Sequence, residues 1–213
     1  MTTILCYNKN MTIFYMLYNK LYVNITNACS CACVFCIRNN SPSVGSADSL
    51  WLEYEPDFSE IKQAFDAVSL EGVAEITFCG YGEPMERADL VIQTAEYIKK
   101  KCALPVRLNT NGLVKLMNPD FDVKRLVVFD FVSISLNAPD EEAYLRVTNP
   151  RFGAGSYRAM LDFALEAKKV TAVGFTAVDV IGEENLQKCE AFAASMEIPL
   201  RVRHFVQNND SYD

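Results

Sequence analysis

The sequence has a single histidine, few basic residues and no long apolar run, and each shortage excludes a class of protein. His204 is the only histidine among 213 residues, so a hydrolase built on a Ser–His or Cys–His pair has little to work with. Lysine and arginine total 20 against 27 acidic residues, and the net charge is −7. Proteins that work by neutralising phosphates are basic, so we expect no direct nucleic-acid binding. No run approaches the ~20 apolar residues of a membrane span, so we expect no membrane segment.

The sequence also has no convincing export signal. The only candidate apolar segment, Met11 to Tyr18, continues into "NKLYVNIT" without a small-residue cleavage site. The eight cysteines therefore predict reduced thiols in a cytoplasmic protein rather than the disulfides of a small secreted domain. The polar residues before Met11 predict that residues 1–10 lie outside the fold. We predict an N-terminal extension and lead-in over 1–19, a core domain over 20–206 and a C-terminal tail over 207–213.

Short apolar runs alternate with helical patterns from Leu21 onward. One such pattern places Ile61, Phe65 and Val68 on the same side of a helix. The alternation predicts right-handed βαβ units and a parallel sheet. A complete eight-fold barrel takes about 250 residues, so six units predict a single α/β domain shaped as a partial (β/α)6 TIM-like barrel. The predicted strands are 21–26, 74–79, 106–110, 131–137, 170–180 and 200–205.

Polar and glycine-rich segments follow five consecutive predicted strands. In chain order they are "NACSCACVFC", "GYGEP", "NTNG", "SLNAPD" and "DVIGEE". Ligand sites in parallel α/β folds lie at the carboxyl ends of the strands. We therefore expect the functional site at that end of the sheet.

Four cysteines lie in the segment "CSCACVFC", which begins at Cys29 and ends at Cys36. Cys29, Cys33 and Cys36 follow a C-x3-C-x2-C spacing, and Cys31 lies inside it. Three thiolates can share one iron–sulfur cluster when each binds a different iron, and the fourth iron then stays open. The alternatives are a structural zinc site that uses all four thiols, or a role in the core. The spacing is cramped for zinc, which usually takes its ligand pairs from separate turns.

This cysteine loop, placed after the first predicted strand, resembles that of the radical S-adenosylmethionine (radical SAM) superfamily. There the C-x3-C-x2-C loop follows the first strand of a partial (β/α)6 barrel, and an aromatic residue, here Phe35, often precedes the last cysteine. "GYGEP", Gly80 to Pro84, resembles the GGEP-type motif of the family, and "SISLNA" resembles its fourth strand end. The resemblance spans about residues 20–206 and is closest to the small TatD-associated radical SAM proteins.

The resemblance implies a [4Fe–4S] cluster held by Cys29, Cys33 and Cys36, with SAM chelated at the open iron. An electron from a reduced flavodoxin or ferredoxin would pass through the cluster and cleave SAM. The products would be methionine and a 5′-deoxyadenosyl radical that takes a hydrogen atom from the substrate. Cys31 is not assigned as a ligand.

The resemblance also implies which residues contact SAM. The backbone of Gly80 and Gly82 would meet the amino group of its methionine part, with support from Glu83, and Phe35 would lie beside the cofactor. The alternative interpretation of "GYGEP" is purely structural: a β-to-α turn in which the glycines permit a sharp bend.

Alternation in "FVSISLN" places Ser133, Ser135 and Asn137 on one face of the fourth predicted strand. Buried polar groups need partners. In the family this strand end contacts SAM, and the alternative is a hydrogen-bond ladder to neighbouring strands. Asp179 is predicted either to approach the adenosine or substrate, or to cap the helix that starts near Glu183.

Arg201 and Arg203 share one face of the last predicted strand. If that face points inward, both are candidates to bind a carboxylate of SAM or of the substrate. If it points outward, both are solvated charges.

The sequence predicts a radical SAM enzyme whose substrate no motif identifies. The family name suggests association with a TatD-type hydrolase, and so short a chain would suit a protein substrate. One alternative is a glycyl-radical-enzyme activase, and another is a non-catalytic, zinc-stapled binding module.

Overall fold

The structure is a computed structural model that describes residues 11–39, 44 and 49–205. Its centre is one sheet of seven strands that lie in the sheet in the same order as in the chain. The first pair is antiparallel and all later pairs are parallel. The strands are β1 Phe14–Leu17, β2 Lys20–Val23, β3 Glu75–Phe78, β4 Val106–Thr110, β5 Phe131–Ser135, β6 Ala172–Val178 and β7 Leu200–Arg203.

The fold confirms the predicted α/β class and all six predicted strands; β4 has the predicted bounds, and the other five are shorter than predicted. Within the described residues no ladder joins β7 back to β1, so the sheet is an open, partial barrel. Crossovers between adjacent parallel strands need helices, because the chain must return to the start of the next strand. The α-helices are α1 Phe58–Asp66, α2 Ala88–Lys101, α3 Val114–Met117, α4 Glu141–Thr148, α5 Ser156–Ala167 and α6 Glu183–Ser195.

Local signals explain where the first of these helices begins. The side chain of Asp57 accepts from the backbone N–H of Glu60 at 2.9 Å, and the Glu60 carboxylate accepts from the N–H of Asp57 at 2.9 Å. This capping box satisfies N–H groups that the first helical turn leaves without partners. The buried residues of α1 are Ile61 and Phe65, as the pattern predicts, whereas Val68 lies beyond the end of the helix.

The two faces of the sheet differ in chemistry. We call the side packed against the helices the helix face, and its residues are almost entirely buried and apolar. They include Val23, Phe78, Leu108, Val132, Ile134 and Phe175. We call the opposite side the inner face. The strand registers place on it Lys20, Tyr22, Glu75, Thr77, Arg107, Asn109, Phe131, Ser133, Ser135, Thr176, Val178, Arg201 and Arg203.

The N-terminal part of the described chain belongs to this sheet. Strand β1 pairs with β2 from Phe14 to Leu17, and the ring of Phe14 packs 5.7 Å from that of Phe65 in α1. The sheet thus extends into the segment that the sequence assigned to a lead-in over 1–19. Residues 1–10 and 207–213 lie outside the described residues. In the part of the chain that the structure describes, no helix has the length and apolar character needed to cross a membrane.

Candidate functional site

The loop that follows β2 carries the three predicted cluster ligands to the carboxyl end of the sheet. Cys29, Cys33 and Cys36 are half-buried free thiols, and the first two pack against the core. Among the residues of this loop that the structure describes, the regular structure is a short 3₁₀ turn over Ile37–Asn39. One short loop therefore presents three sulfur atoms at the end of the sheet where parallel α/β folds bind ligands.

The three thiols influence one another electrostatically. Burial raises the pKa of Cys29 to about 12 and also raises the pKa of Cys36, and a negative charge on Cys33 raises both. The guanidinium of Arg38 opposes these shifts, since it lies beside the thiols and donates to the carbonyl of Cys31 at 3.3 Å. Protons and metal therefore compete for these sulfurs, because thiolates are the ligands that metals bind.

The cysteine loop offers three thiols as a donor set for a metal group. In the described residues, no group of three or more His, Cys, Asp or Glu side chains is arranged to hold one metal ion. The zinc knot on all four cysteines is thus not formed there. A [4Fe–4S] cluster takes each cysteine at a different iron. Three neighbouring free thiols at one sheet end match that donor set.

Cys31 differs from the other three cysteines of the loop because its side chain is turned into the protein. It is 5% exposed, and the amide of Asn111 lies 3.7 Å from its sulfur. Its backbone forms an isolated bridge with Pro150. A hydrogen bond to Cys33 raises the pKa of Cys31 and lowers that of Cys33. Cys31 thus contacts one of the predicted ligands and is held in the core.

The "GYGEP" turn lies against the start of the cysteine loop. A Cβ atom at Gly82 would overlap the carbonyl oxygen of Thr26 and lie 2.6 Å from that of Ala28, and one at Gly80 would overlap the side chain of Asn24. Only glycine permits this approach of two backbones. The structure therefore gives both glycines a packing role, and their predicted contact with SAM stays a prediction.

Glu83 fastens this turn to the neighbouring strand. Its carboxylate accepts from the N–H of Met85 at 3.0 Å, the hydroxyl of Thr110 at 2.7 Å and the N–H of Asn111 at 2.6 Å. Its own N–H donates to the carbonyl of Ala28 at 2.8 Å. Burial raises the pKa of Glu83 to about 7, although the three hydrogen bonds lower it. Glu83 thus joins the cysteine loop, the turn and the end of β4.

A distant segment supports the other side of the cysteine loop. The N–H of Ala32 donates to the carbonyl of Thr148 at 3.0 Å, at the end of α4, and the N–H of Arg151 donates to the carbonyl of Ser30 at 2.9 Å. Asn149, which follows the last residue of α4, caps the helix in a left-handed conformation with φ of 42°. No local signal in the sequence predicts this support, because the residues that it joins lie more than 100 positions apart.

The polar residues of β5 lie where alternation predicts them. Ser133 is buried and Ser135 is half-buried on the inner face, whereas Ile134 lies on the helix face. Asn137 lies beyond the end of β5 with a left-handed φ of 57°, and it is buried. No hydrogen bond between described residues involves the side chains of these two serines or of Asn137. The predicted alternative, a ladder of such bonds to neighbouring strands, is therefore not formed there. Their polar atoms remain available to a ligand.

Asp179 connects the ends of the last two strands. Its carboxylate accepts from the N–H of Phe205 at 2.8 Å and lies 2.8 Å from Nδ1 of His204. These two contacts hold the pKa of Asp179 below its usual range. The predicted cap of α6 is wrong, because the N-cap is Gly182 and no side chain caps that helix. Contact with the adenosine stays a prediction. Phe35 is half-buried in the cysteine loop.

The two arginines of β7 belong to the inner face. Arg201 pairs in register with Thr176, which pairs with Ser135, and Arg203 pairs with Val178. Side chains of paired residues in neighbouring strands point to the same side. Of the two orientations that the sequence left open, the inward one is therefore the observed one.

Comparison with known proteins decides the family. Residues 23–195 match the family model "Radical SAM superfamily", a range that covers the cysteine loop, strands β3 to β6 and all the α-helices of the described chain. The chain belongs to the radical SAM superfamily. Radical SAM proteins use a [4Fe–4S] cluster and SAM, which are the cofactors that the sequence predicts. The match does not distinguish the TatD-associated group within this superfamily.

Two curated relatives are named GTP 3′,8-cyclase. That of Rhodococcus opacus is 30% identical over 158 residues, which cover 72% of this chain and 42% of the relative. That of Nitrobacter winogradskyi is 25% identical over 190 residues, which cover 85% of this chain and 51% of the relative. This radical SAM chain thus spans about half the length of the curated relatives it matches.

Solved radical SAM structures show the same fold. The structure described as native anSMEcpe with bound AdoMet superposes with a TM-score of 0.57 at 16% identity, over 87% of this chain and 50% of that chain. The complex of the same protein with AdoMet and the Kp18Cys peptide gives a TM-score of 0.57 at 15% identity, with the same coverage. At these identities the likeness concerns the fold.

Proposed function

We propose that this radical SAM protein binds a [4Fe–4S] cluster through Cys29, Cys33 and Cys36 and cleaves SAM reductively. The observation that carries the proposal is the placement of three neighbouring free thiols on one loop at the carboxyl end of the sheet, while Cys31 is buried in the core. When bound, the cluster and SAM supply a 5′-deoxyadenosyl radical that takes a hydrogen atom from the substrate.

The residues of this chain would hold and orient these groups. The cysteine loop is fixed on one side by the Gly80–Pro84 turn and on the other by the end of α4, so the thiols are positioned before the cluster binds. The polar side chains of Ser133, Ser135 and Asn137 are available beside them to bind SAM. The protein thereby positions the cofactor and keeps water from it, while the cofactor performs the bond cleavage.

The partners and the substrate are part of the proposal. Radical SAM enzymes need a reductant, and we propose a reduced flavodoxin or ferredoxin as the electron donor. A TatD-type hydrolase or a protein substrate is the proposed partner, on the resemblance to the TatD-associated group. The curated relatives are named for a reaction on GTP, and one solved neighbour holds a peptide. Because this chain spans about half their length, neither substrate is transferred to it.

Anaerobic purification and reconstitution test the proposal. We expect about four irons and little zinc per chain, since a site-differentiated cubane contains four. Addition of a reductant and SAM should then release 5′-deoxyadenosine and methionine. Near one zinc per chain, or no 5′-deoxyadenosine from a fully loaded cluster, would contradict it. A radical transferred to a glycine of an added protein target would instead favour the activase alternative.

A matched pair of variants separates the site from the rest of the chain. Cys36→Ala should abolish 5′-deoxyadenosine formation. Cys102→Ala should not abolish 5′-deoxyadenosine formation. Cys102 caps the C-terminal end of α2, outside the cysteine loop, and donates to the carbonyl of Ile98. Equal loss in both variants would mean that general destabilisation, rather than ligation, explains the effect.

A further inference from the structure

The inner face of the sheet carries an excess of positive charge in an acidic protein. Four cations lie on it, and the strands contribute a single carboxylate, that of Glu75. The whole chain has a net charge of −7. A positively charged face attracts anionic ligands, even when the whole molecule is acidic. The four cations are Lys20, Arg107, Arg201 and Arg203.

Two of these cations are already used by the protein. Lys20 Nζ lies 2.8 Å from the carboxylate of Glu75, and Arg107 Nε lies 3.0 Å from the same oxygen. Arg107 also lies over the ring of Phe131 at 4.3 Å. These groups form a compact cluster at the amino-terminal half of the inner face, and its role is structural.

The other two cations are different. Arg201 and Arg203 are exposed, and no acidic side chain among the described residues forms an ion pair with either. The nearest carboxylate along the neighbouring strand, Asp179, is already paired with His204 and the N–H of Phe205. Two guanidinium groups therefore stand two residues apart on one strand face without a protein counter-charge in the described chain.

The charge of Arg203 acts on two groups of other strands. Burial raises the pKa of Tyr22 to about 12 and also raises that of Cys79, and the positive charge of Arg203 opposes both shifts. Tyr22 belongs to β2 and Cys79 follows β3, the second and third of seven strands, whereas β7 is the last. The curvature of the sheet thus brings this charge toward the end where the cysteine loop begins.

We propose that Arg201 and Arg203 bind an oxyanion of the substrate, a phosphate or a carboxylate, on the inner face beside the SAM site. The planar guanidinium fork donates two parallel hydrogen bonds to such a group. The hydroxyl groups of Thr176 and Ser135, in register with Arg201, can donate to the same anion. The inference rests on the proposed function and names the chemical class of its substrate.

Titration calorimetry on the anaerobically reconstituted protein tests the inference. The probes are inorganic pyrophosphate for the phosphate source, succinate for the carboxylate source, and SAM itself. In the double variant Arg201→Gln with Arg203→Gln, the Kd for pyrophosphate or succinate should rise about tenfold or more. The Kd for SAM should stay within about twofold of that of the wild type. Whichever probe responds identifies the source of the oxyanion.

The control removes the same number of charges from the outer surface. Arg158→Gln with Lys188→Gln changes two exposed cations that pair with Asp162 and Glu184 on their own helices. This variant should bind all three probes as the wild type does. Binding of the anions should also weaken as salt is added, since exposed charges are screened.

Three results would overturn the inference. In the first, the wild type binds neither anion. In the second, the arginine variant binds both anions as the wild type does. In the third, the variant loses only SAM binding, which would mean that the arginines hold the carboxylate of SAM. The cluster and 5′-deoxyadenosine assays test the proposed function independently of anion binding. A protein that binds the anions through these arginines but never cleaves SAM refutes the proposed function, whereas one that cleaves SAM but ignores the anions refutes only the oxyanion site.

Discussion

The helix face and the inner face are built from the same strands and differ in nearly every physical property. On β5, Ile134 on the helix face is fully buried, while its neighbour Ser135 on the inner face is partly exposed. The helix face excludes water and polar groups, whereas the inner face is polar and positively charged. Alternation along a strand thus separates two tasks, because neighbouring residues point to opposite sides. We therefore expect stability to depend mainly on the helix face and ligand binding on the inner face.

The largest expected effect on the free energy of unfolding separates two neighbouring residues of β5. Ile134→Ala should lower the free energy of unfolding by about 2–5 kcal/mol, because it leaves a cavity in a packed core. Ser135→Ala should change it by less than about 0.5 kcal/mol, as at most positions that touch little protein. Denaturant unfolding of the cluster-free protein measures both. Similar losses in the two variants would break the contrast between the faces.

A second prediction concerns the carboxyl end of the sheet, where the "GYGEP" turn packs against the cysteine loop. Gly82→Ala forces a Cβ onto the backbone of the cysteine loop, so we expect a loss of about 1–3 kcal/mol and poor iron loading. Gly153→Ala is the control: its φ of 63° is strained for alanine, but a Cβ there meets nothing within 4 Å. It should lose about 1 kcal/mol and load iron normally. Normal loading in Gly82→Ala would show that the turn does not position the thiols.

The third and smallest prediction concerns the carboxyl group of Glu83. Because burial raises its pKa to about 7, the folded protein binds this proton more tightly than the unfolded chain does. The contribution of this group to the free energy of unfolding is therefore largest below its usual pKa of 4.5, falls as pH rises toward about 7, and is constant above.

Glu83→Gln should remove this pH dependence. The new amide would also face the N–H of Asn111, which leaves a donor unpaired and lowers the free energy of unfolding by about 1–2 kcal/mol. Unfolding curves of both cluster-free proteins between pH 5 and pH 8 provide the measurement. Parallel pH profiles for wild type and variant would mean that Glu83 does not titrate in this range.

Local patterns allowed much of the fold to be predicted. The six parallel strands and the helix around Ile61 and Phe65 follow from apolar periodicity, since burial on one side imposes the spacing. The inner position of Ser133 and Ser135 follows from alternation. The cysteine spacing and its place after the first parallel strand indicated the radical SAM family, which the match over residues 23–195 confirms.

The missing parts are tertiary contacts. Nothing near Glu83 in the sequence predicts that its carboxylate accepts from Thr110 and Asn111, and nothing near Ala32 predicts its bond to Thr148. Such contacts depend on which chain segments the curvature of the sheet brings together. The orientation of Arg201 was open for a related reason, because alternation groups residues on a face without saying which face is inside.

The most direct test of the central claim compares two cysteines of the same loop. We expect Cys33→Ala to lose the iron and the visible absorbance of the reconstituted protein, because a cluster ligand is removed. Cys31→Ala should keep about four irons per chain, since that side chain is buried against Asn111 and its removal leaves all three ligands in place. Retention of the cluster by Cys33→Ala, or its loss only in Cys31→Ala, would contradict the account.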